Sequence, residues 1–91
     1  PAGADGTRNT MSRKAQHADA YTSLPGFLRQ LRGEAELPQR ALGARLERPQ
    51  SWVHNCETGM RRVDVTEFIA WAEACDVDAI QAFRRLLKSV R

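Results

Sequence analysis

The sequence predicts an all-α domain, a compact bundle of five short helices, and three observations support this. From residue 24 onward, apolar residues recur three and four positions apart, the spacing of one helical face. Residues typical of helix starts and ends separate these stretches. No segment alternates apolar and polar residues as a half-buried strand would. The 91 residues, 42% of them hydrophobic, therefore predict one small domain with a modest core.

The chain begins with a segment of different composition. Residues 1–20 are small and polar and contain almost no large apolar side chain. Such a segment cannot contribute to a core, and we expect a flexible tail that precedes a folded domain over residues 21–91. A second interpretation stays open, in which Arg8, Arg13 and Lys14 form a basic arm that lies in a groove of a nucleic acid.

The first helix is predicted over about residues 24–35, with Ser23 as its N-cap and Pro25 in its first turn. Its apolar stripe consists of Leu24, Phe27, Leu28, Leu31 and Ala35. The helix is expected to end within residues 34–38, where Leu37 covers the core.

Residues 39–59 predict two short helices joined by a tight turn. Leu42 and Leu46 share one face of the second helix, and Gly43 beside them allows another helix to approach closely. Pro49 disfavours helical geometry just before it, so a third helix is expected to start directly after it and to cover residues 50–58. Gly59 suits the left-handed position that follows a helix. The buried seam of the third helix is predicted to be Val53 and Cys56.

The opposite face of the third helix is polar in an unusual way. It carries Gln50, Ser51, His54 and Asn55. These side chains are short or flat, whereas Glu and Lys dominate an ordinary solvated face. Amides and hydroxyls of this kind suit hydrogen bonds with base edges in a DNA major groove. For His54, a merely exposed imidazole is the alternative interpretation.

The fourth and fifth helices are predicted from their caps. Asp64 and Glu67 have the spacing of a capping box, which starts a helix over about residues 65–75. Asp78 can cap a helix over about residues 79–90. The fourth helix is expected to bury Val65, Phe68, Ile69 and Ala72, with Trp71 and Cys75 at the edge of the stripe. The fifth is expected to bury Ile80, Phe83, Leu87 and Val90, with Leu86 exposed in a monomer.

The positive charge of the chain is unevenly distributed. Residues 38–62 contain five arginines and two glutamates, a net charge of +3, whereas basic and acidic groups balance over residues 65–91. A basic patch around the two short central helices favours contact with a phosphate backbone.

Several classes of function are not expected. No apolar run approaches the roughly 18 residues that a membrane span needs. The two cysteines, Cys56 and Cys75, lack C-x-x-C spacing and lie on apolar helix faces, so we interpret them as buried thiols in a reducing cytoplasm. We expect no metal site and no cofactor. The sequence also lacks the nucleophile, zinc and Walker motifs of common enzymes, and we expect no enzymatic activity.

Together, several short strings resemble the Cro/C1-type helix-turn-helix family, also called the xenobiotic-response-element family. They are F-L-R-x-L-R at 27–32, L-x-Q at 37–39, A-L-G-A-R-L at 41–46, R-P-Q-S-W-V at 48–53, C-E-T-G at 56–59, R-R-V-D-V at 61–65 and E-F-I-A-W-A-E-A-C-D-V-D at 67–78. The resemblance implies a five-helix domain of the lambda-repressor-like DNA-binding type. It also implies a transcription regulator, typically a repressor, whose third helix enters the major groove of double-stranded DNA.

The resemblance also implies roles for individual residues. Gln50, Ser51 and Asn55 occupy base-reading positions, flanked by His54. Gln39 occupies the position of a glutamine that holds a phosphate and braces the third helix. The remaining phosphate-contacting positions are Arg48, Thr58, Arg61 and Arg62. Arg32 and Glu57 match a partly buried ion pair, which we expect to be in contact within about 4 Å.

This sequence departs from the family pattern at four positions between its first three helices. Glu36 and Glu47 stand where the family favours glycine, Pro38 replaces a capping Ser or Thr, and Arg48 replaces an apolar turn residue. Loss of the cap should cost roughly 1 kcal/mol. Trp52 is large for its position, and two interpretations stay open: its ring packs on the second helix, or it contacts DNA.

The expected assembly is a homodimer on a two-fold symmetric operator, as is common in the family. The fifth helix, with Leu86, Leu87 and Val90, is the predicted dimer surface, together with Trp71. The alternative function is a protein-interaction module on the same fold, such as an antitoxin whose main partner is a toxin.

Overall fold

The structure, a computed structural model, describes residues 21–90. Residues 21–34 form the first helix, α1, and the others are α2 (Gln39–Leu46), α3 (Gln50–Glu57), α4 (Val65–Ala74) and α5 (Ala79–Ser89). No strand occurs among these residues, which confirms the predicted all-α class. The tail or arm predicted for residues 1–20 lies outside the described residues.

The first helix already includes residues 21–23, which the sequence predicts to precede it. Tyr21, Thr22 and Ser23 are already helical, so the prediction of Ser23 as the N-cap was wrong. The Tyr21 ring lies 4.2 Å from the guanidinium carbon of Arg62, in the loop after α3. This tertiary contact supports a turn of helix that the apolar periodicity does not include.

The core lies where all five helices meet. Its fully buried large side chains are Leu28, Leu31, Leu42, Val53, Cys56 and Trp71. Trp71 was expected at the edge of its stripe and on a dimer surface, but its side chain has no exposed area. Its indole Nε1 donates a hydrogen bond to the carbonyl oxygen of Leu28 at 3.0 Å, so the polar atom is satisfied inside the core.

The inward face of α5 differs from the prediction. Ala82 is fully buried and Leu86 is half-buried against the core, whereas Ile80, Phe83 and Leu87 are 66%, 49% and 37% exposed. The small side chain of Ala82 lets α5 approach the bundle closely, and this turns the bulkier stripe outward. Val65 and Ile69 of α4, also predicted to be inside, are exposed as well. An apolar surface therefore remains on α4 and α5.

The turn between α2 and α3 depends on backbone geometry. Glu47 adopts a left-handed φ of 55°, and the Arg48 amide donates to the Gly43 carbonyl oxygen at 2.8 Å. A β-carbon on Gly43 would lie 2.6 Å from the Arg48 carbonyl oxygen. The close neighbours of Gly43 are thus the turn and Pro49, the N-cap residue of α3. Pro49 directly precedes α3, as predicted.

The end of α3 and the start of α4 have the predicted geometry. Gly59, after α3, adopts a left-handed φ of 80°. Asp64 accepts a hydrogen bond from the Glu67 amide at 2.8 Å, and the Glu67 carboxylate accepts one from the Asp64 amide at 3.0 Å. This capping box fixes where α4 starts and so limits the loop at residues 58–64, which carries two of the arginines assigned to the interface.

Candidate nucleic-acid interface

The orientation of α3 is set by two apolar anchors. Val53 and Cys56 are 0% and 1% exposed, and both belong to the hydrophobic core. Because these residues face inward, the four predicted base-reading residues share the opposite side. Gln50, Ser51 and His54 are exposed and Asn55 is partly exposed.

A chain of hydrogen bonds leads from the interior to the first of these residues. Arg32 and Glu57 form the ion pair that the sequence predicts: Arg32 Nε and Nη2 donate to the two carboxylate oxygens of Glu57 at 2.6 and 3.0 Å. Gln39 Nε2 donates to Glu57 Oε1 at 3.0 Å, and Gln50 Nε2 donates to Gln39 Oε1 at 3.4 Å. The chain thus joins α1, the start of α2 and both ends of α3.

This hydrogen-bonded chain orients the amide of Gln50. One N–H of its Nε2 is directed to Gln39, which leaves the second N–H and the carbonyl oxygen available. A bidentate contact with adenine needs one donor and one acceptor, and these are the groups that remain. Gln39 lies between Glu57 and Gln50 in this chain of hydrogen bonds.

The ion pair at the inner end of the chain is mostly buried. The Glu57 side chain is 3% exposed and that of Arg32 is 16% exposed. The hydrogen bond to Glu57 raises the pKa of Arg32 above its usual value. Arg32 Nη1 also donates to the Leu37 carbonyl oxygen at 2.9 Å, so the segment between α1 and α2 is held by the same guanidinium.

Trp52 lies on the remaining side of α3, between the two loops that flank this helix. Its ring is half-buried against the core, with its centroid 6.2 Å from that of Trp71, which supports the packing interpretation. The guanidinium carbons of Arg48 and Arg61 lie 4.9 and 5.0 Å from the ring centroid, within the range of cation–π contacts. This arrangement was not predicted from the sequence, because the loops approach the ring only in the folded chain.

The predicted phosphate-contacting residues fall into two groups. Arg48, Thr58 and Arg62 are exposed at the two ends of α3, and Gln39 is half-buried beside Gln50. Arg61, by contrast, donates from Nη1 and Nη2 to the carboxylate of Glu67 at 2.9 and 3.0 Å. These bonds lower the pKa of Glu67 below its usual value.

Both cysteines are buried in the core as free thiols. Cys56 and Cys75 are free and buried, and burial raises the pKa of Cys75 to about 11 and that of Cys56 above its usual value. Both therefore stay protonated near neutral pH. Within residues 21–90, His, Cys, Asp and Glu side chains form no group that could hold a metal ion. No helix in the same range is long and apolar enough to cross a membrane.

Comparison with known proteins agrees with this geometry. A family model described as a helix-turn-helix domain matches residues 24–87. A solved structure, described as an XRE-family like protein from Pseudomonas syringae pv. tomato str. DC3000, superposes with a TM-score of 0.78 and 32% sequence identity. The match covers 88% of this chain and 98% of that one. This chain belongs to the XRE family of helix-turn-helix proteins.

In this family, α2 and α3 are the two helices of the helix-turn-helix motif. The helix-turn-helix unit consists of α2, the turn at residues 47–49 and α3, all inside the matched range. No curated protein sequence matches this chain. Roles for individual residues of this helix-turn-helix domain therefore rest on the geometry above.

Proposed function

We propose that this helix-turn-helix domain is a transcriptional regulator that binds specific sites on double-stranded DNA, with α3 in the major groove. Gln50, Ser51, His54 and Asn55 face the base edges. Arg48 and Arg62 neutralise phosphates on either side of the groove, while Thr58 and Gln39 offer polar contacts to the backbone. This assignment separates residues that select a sequence from residues that only hold DNA.

The observation that carries the proposal is the oriented amide of Gln50. A flexible glutamine on an ordinary surface would have to be ordered on binding, which costs side-chain entropy. Here the hydrogen bond from Gln50 to Gln39 at 3.4 Å, and from Gln39 to Glu57 at 3.0 Å, restrains the side chain in advance. Such preorganisation supports a reading role over a solvated one.

The domain is proposed to act as a homodimer on a two-fold symmetric operator. The exposed apolar stripe of α5, formed by Ile80, Phe83 and Leu87, offers a self-complementary surface for a two-fold contact. A dimer of this kind would place two copies of α3 about 34 Å apart on one side of the duplex.

The proposal is tested by separating specific from general affinity. Selection from a random duplex pool supplies the preferred site. Affinity is then measured for that site and for a scrambled duplex at several salt concentrations. Gln50→Ala and Asn55→Ala should each weaken the preferred site by about 1–3 kcal/mol and leave the scrambled duplex almost unchanged, because bidentate base contacts discriminate. Arg62→Ala should weaken both duplexes equally and lower the salt slope by about one unit.

A matched control removes the same amide group from a glutamine that lies outside the proposed interface. Gln81 lies exposed on α5, and Gln81→Ala should change neither duplex affinity. The reading role of α3 is refuted if Gln50→Ala and Asn55→Ala keep the same ratio of preferred to scrambled affinity as the unsubstituted chain.

A further inference from the structure

The two loops at either end of α3 meet on one side chain, Trp52. Arg48 belongs to the turn that precedes α3, and Arg61 belongs to the loop that follows it. Their guanidinium carbons lie 4.9 and 5.0 Å from the Trp52 ring centroid. The Arg61 amide also donates to the Asn55 carbonyl oxygen at 3.1 Å, which folds the loop back onto the end of the helix.

No hydrogen bond orients the indole of Trp52. Its Nε1 is buried and has no hydrogen-bond partner. The orientation of the ring therefore depends on packing and on the two guanidinium groups that contact it. Because α3 is only eight residues long, a change in this contact acts on both of its ends.

The charge of Arg61 is already compensated within the protein. Its Nη1 and Nη2 form a bidentate pair with Glu67, at 2.9 and 3.0 Å, and Nη1 also donates to the Arg62 carbonyl oxygen at 2.6 Å. Glu67 is in turn fixed by the capping box of α4. Arg48 and Arg62, by contrast, form no ion pair with a carboxylate of residues 21–90.

A phosphate contact by Arg61 would carry two costs. The guanidinium would have to leave Glu67, and a partly buried carboxylate, 15% exposed, would then face the polyanion without its partner. The residue 58–64 loop would also lose the bidentate Arg61–Glu67 pair that joins it to α4. Arg48 and Arg62 contact aromatic rings, those of Trp52 and Tyr21, and can meet phosphates without leaving a carboxylate unpaired.

We propose that Arg61 is a positioning residue of the DNA interface and not a phosphate contact. This inference rests on the proposed function. The carboxylate of Glu67 holds the guanidinium of Arg61. Arg61 and Arg48 hold the ring of Trp52, and the ring fixes both ends of α3. Gln50 and Asn55 then reach the base edges in register. The backbone charge is neutralised by Arg48 and Arg62.

Lysine separates the two roles. Lys keeps the positive charge of Arg but cannot form the bidentate fork with a carboxylate. In the 91-residue chain, Arg61→Lys should therefore behave like Arg61→Ala: the preferred site weakens several-fold, the scrambled duplex is unchanged, and the salt slope stays at its original value. Arg62→Lys is the matched control. It should retain the salt slope and the ratio of preferred to scrambled affinity, because a phosphate accepts either cation and neither quantity depends on the stacking of Arg62 on Tyr21.

Two further variants check that the effect passes through Glu67 and the ring. Glu67→Gln keeps the capping box, since Gln also serves in this motif, but removes the charge that holds Arg61. It should lower the ratio of preferred to scrambled affinity as Arg61→Lys does. The double variant, Arg61→Lys with Glu67→Gln, should lower this ratio no further than either single variant. Trp52→Phe keeps a ring for the two guanidinium groups and lacks only the unpaired N–H, so it should bind better than Trp52→Leu.

The inference is overturned if Arg61→Ala lowers the salt slope by about one unit and weakens both duplexes equally while Arg61→Lys restores binding. If Arg61→Ala does not fold, as judged by circular dichroism, Arg61→Lys and Glu67→Gln still decide between the roles. Absence of duplex binding by the unsubstituted chain would instead overturn the proposed function itself.

Discussion

Among the glycines of residues 21–90, Gly43 has the tightest steric requirement. A β-carbon at this position would lie 2.6 Å from the carbonyl oxygen of Arg48, a backbone atom that cannot move without shifting the turn. Gly43→Ala should therefore destabilise the domain by about 1–3 kcal/mol, in spite of the better helix propensity of alanine. Denaturant unfolding monitored by circular dichroism measures the change.

Gly26 supplies the control for this substitution. It lies within α1, and a β-carbon there would meet nothing within 4 Å. Gly26→Ala should stabilise the domain by up to about 1 kcal/mol. Equal stability of Gly43→Ala and the unsubstituted chain would show that the turn adapts at no cost.

Single-residue signals in the sequence succeeded where the chemistry is local. Gly59, Asp64 and Asp78 were predicted correctly, because a left-handed position and a helix cap depend on neighbouring backbone atoms. The pairing of Arg61 with Glu67 was not predicted. Glu67 was identified as a capping-box residue, and nothing in its spacing indicates that the same carboxylate also accepts a guanidinium from the preceding loop.

At the scale of elements, the start of α4 should make stability depend on pH. Hydrogen bonds from Arg61 lower the pKa of Glu67 below its usual 4.5, and hydrogen bonds from Thr66 lower that of Asp64 below its usual 3.8. A lowered pKa in the folded state means that stabilisation is complete above the usual value and is lost as the pH falls through the folded value. Acid should therefore weaken the attachment of the residue 58–64 loop to α4.

Unfolding by urea at several pH values between neutral and strongly acidic tests this dependence. Glu67→Gln should be less stable than the unsubstituted chain near neutral pH, and the difference should shrink in acid as Glu67 becomes protonated. Glu73→Gln, on the exposed side of the same helix, is the control and should run parallel to the unsubstituted chain. A constant difference across the whole pH range would contradict the assignment.

The order and approximate bounds of the five helices could be predicted, but the rotation of α5 could not. Caps and prolines fix where helices start, and they act within a few residues. On α5, however, one apolar stripe contains Ile80, Phe83 and Leu87, and a neighbouring one contains Ala82 and Leu86. Periodicity favours the bulkier stripe as the buried one. The fold buries the smaller one because Ala82 permits close packing, with the Phe83 ring reaching across to Phe68 at 6.4 Å.

At the scale of the whole molecule, the helices of residues 21–90 leave an apolar surface exposed on α4 and α5. Ile80, Phe83 and Leu87 on α5 are 66%, 49% and 37% exposed, and Val65 and Ile69 of α4 are exposed as well. Contiguous exposed apolar side chains of this kind mark interaction surfaces. In the proposed dimer the stripe packs against its own copy across a two-fold axis. The contact that buries these apolar side chains therefore also sets the distance between the two copies of α3.

The dimer is tested by placing a charge in the stripe. Ile80→Glu should give a folded monomer, since this side chain is largely exposed, and light scattering should report half the mass of the unsubstituted chain. On a duplex with two half-sites, the variant should bind each half independently and more weakly, because the second contact is no longer intramolecular. Gln81→Glu introduces the same charge on α5 away from the stripe and should leave the dimer intact. A monomeric unsubstituted chain that occupies a single, unrepeated half-site would rule out the two-fold assembly and assign the stripe to a different protein partner.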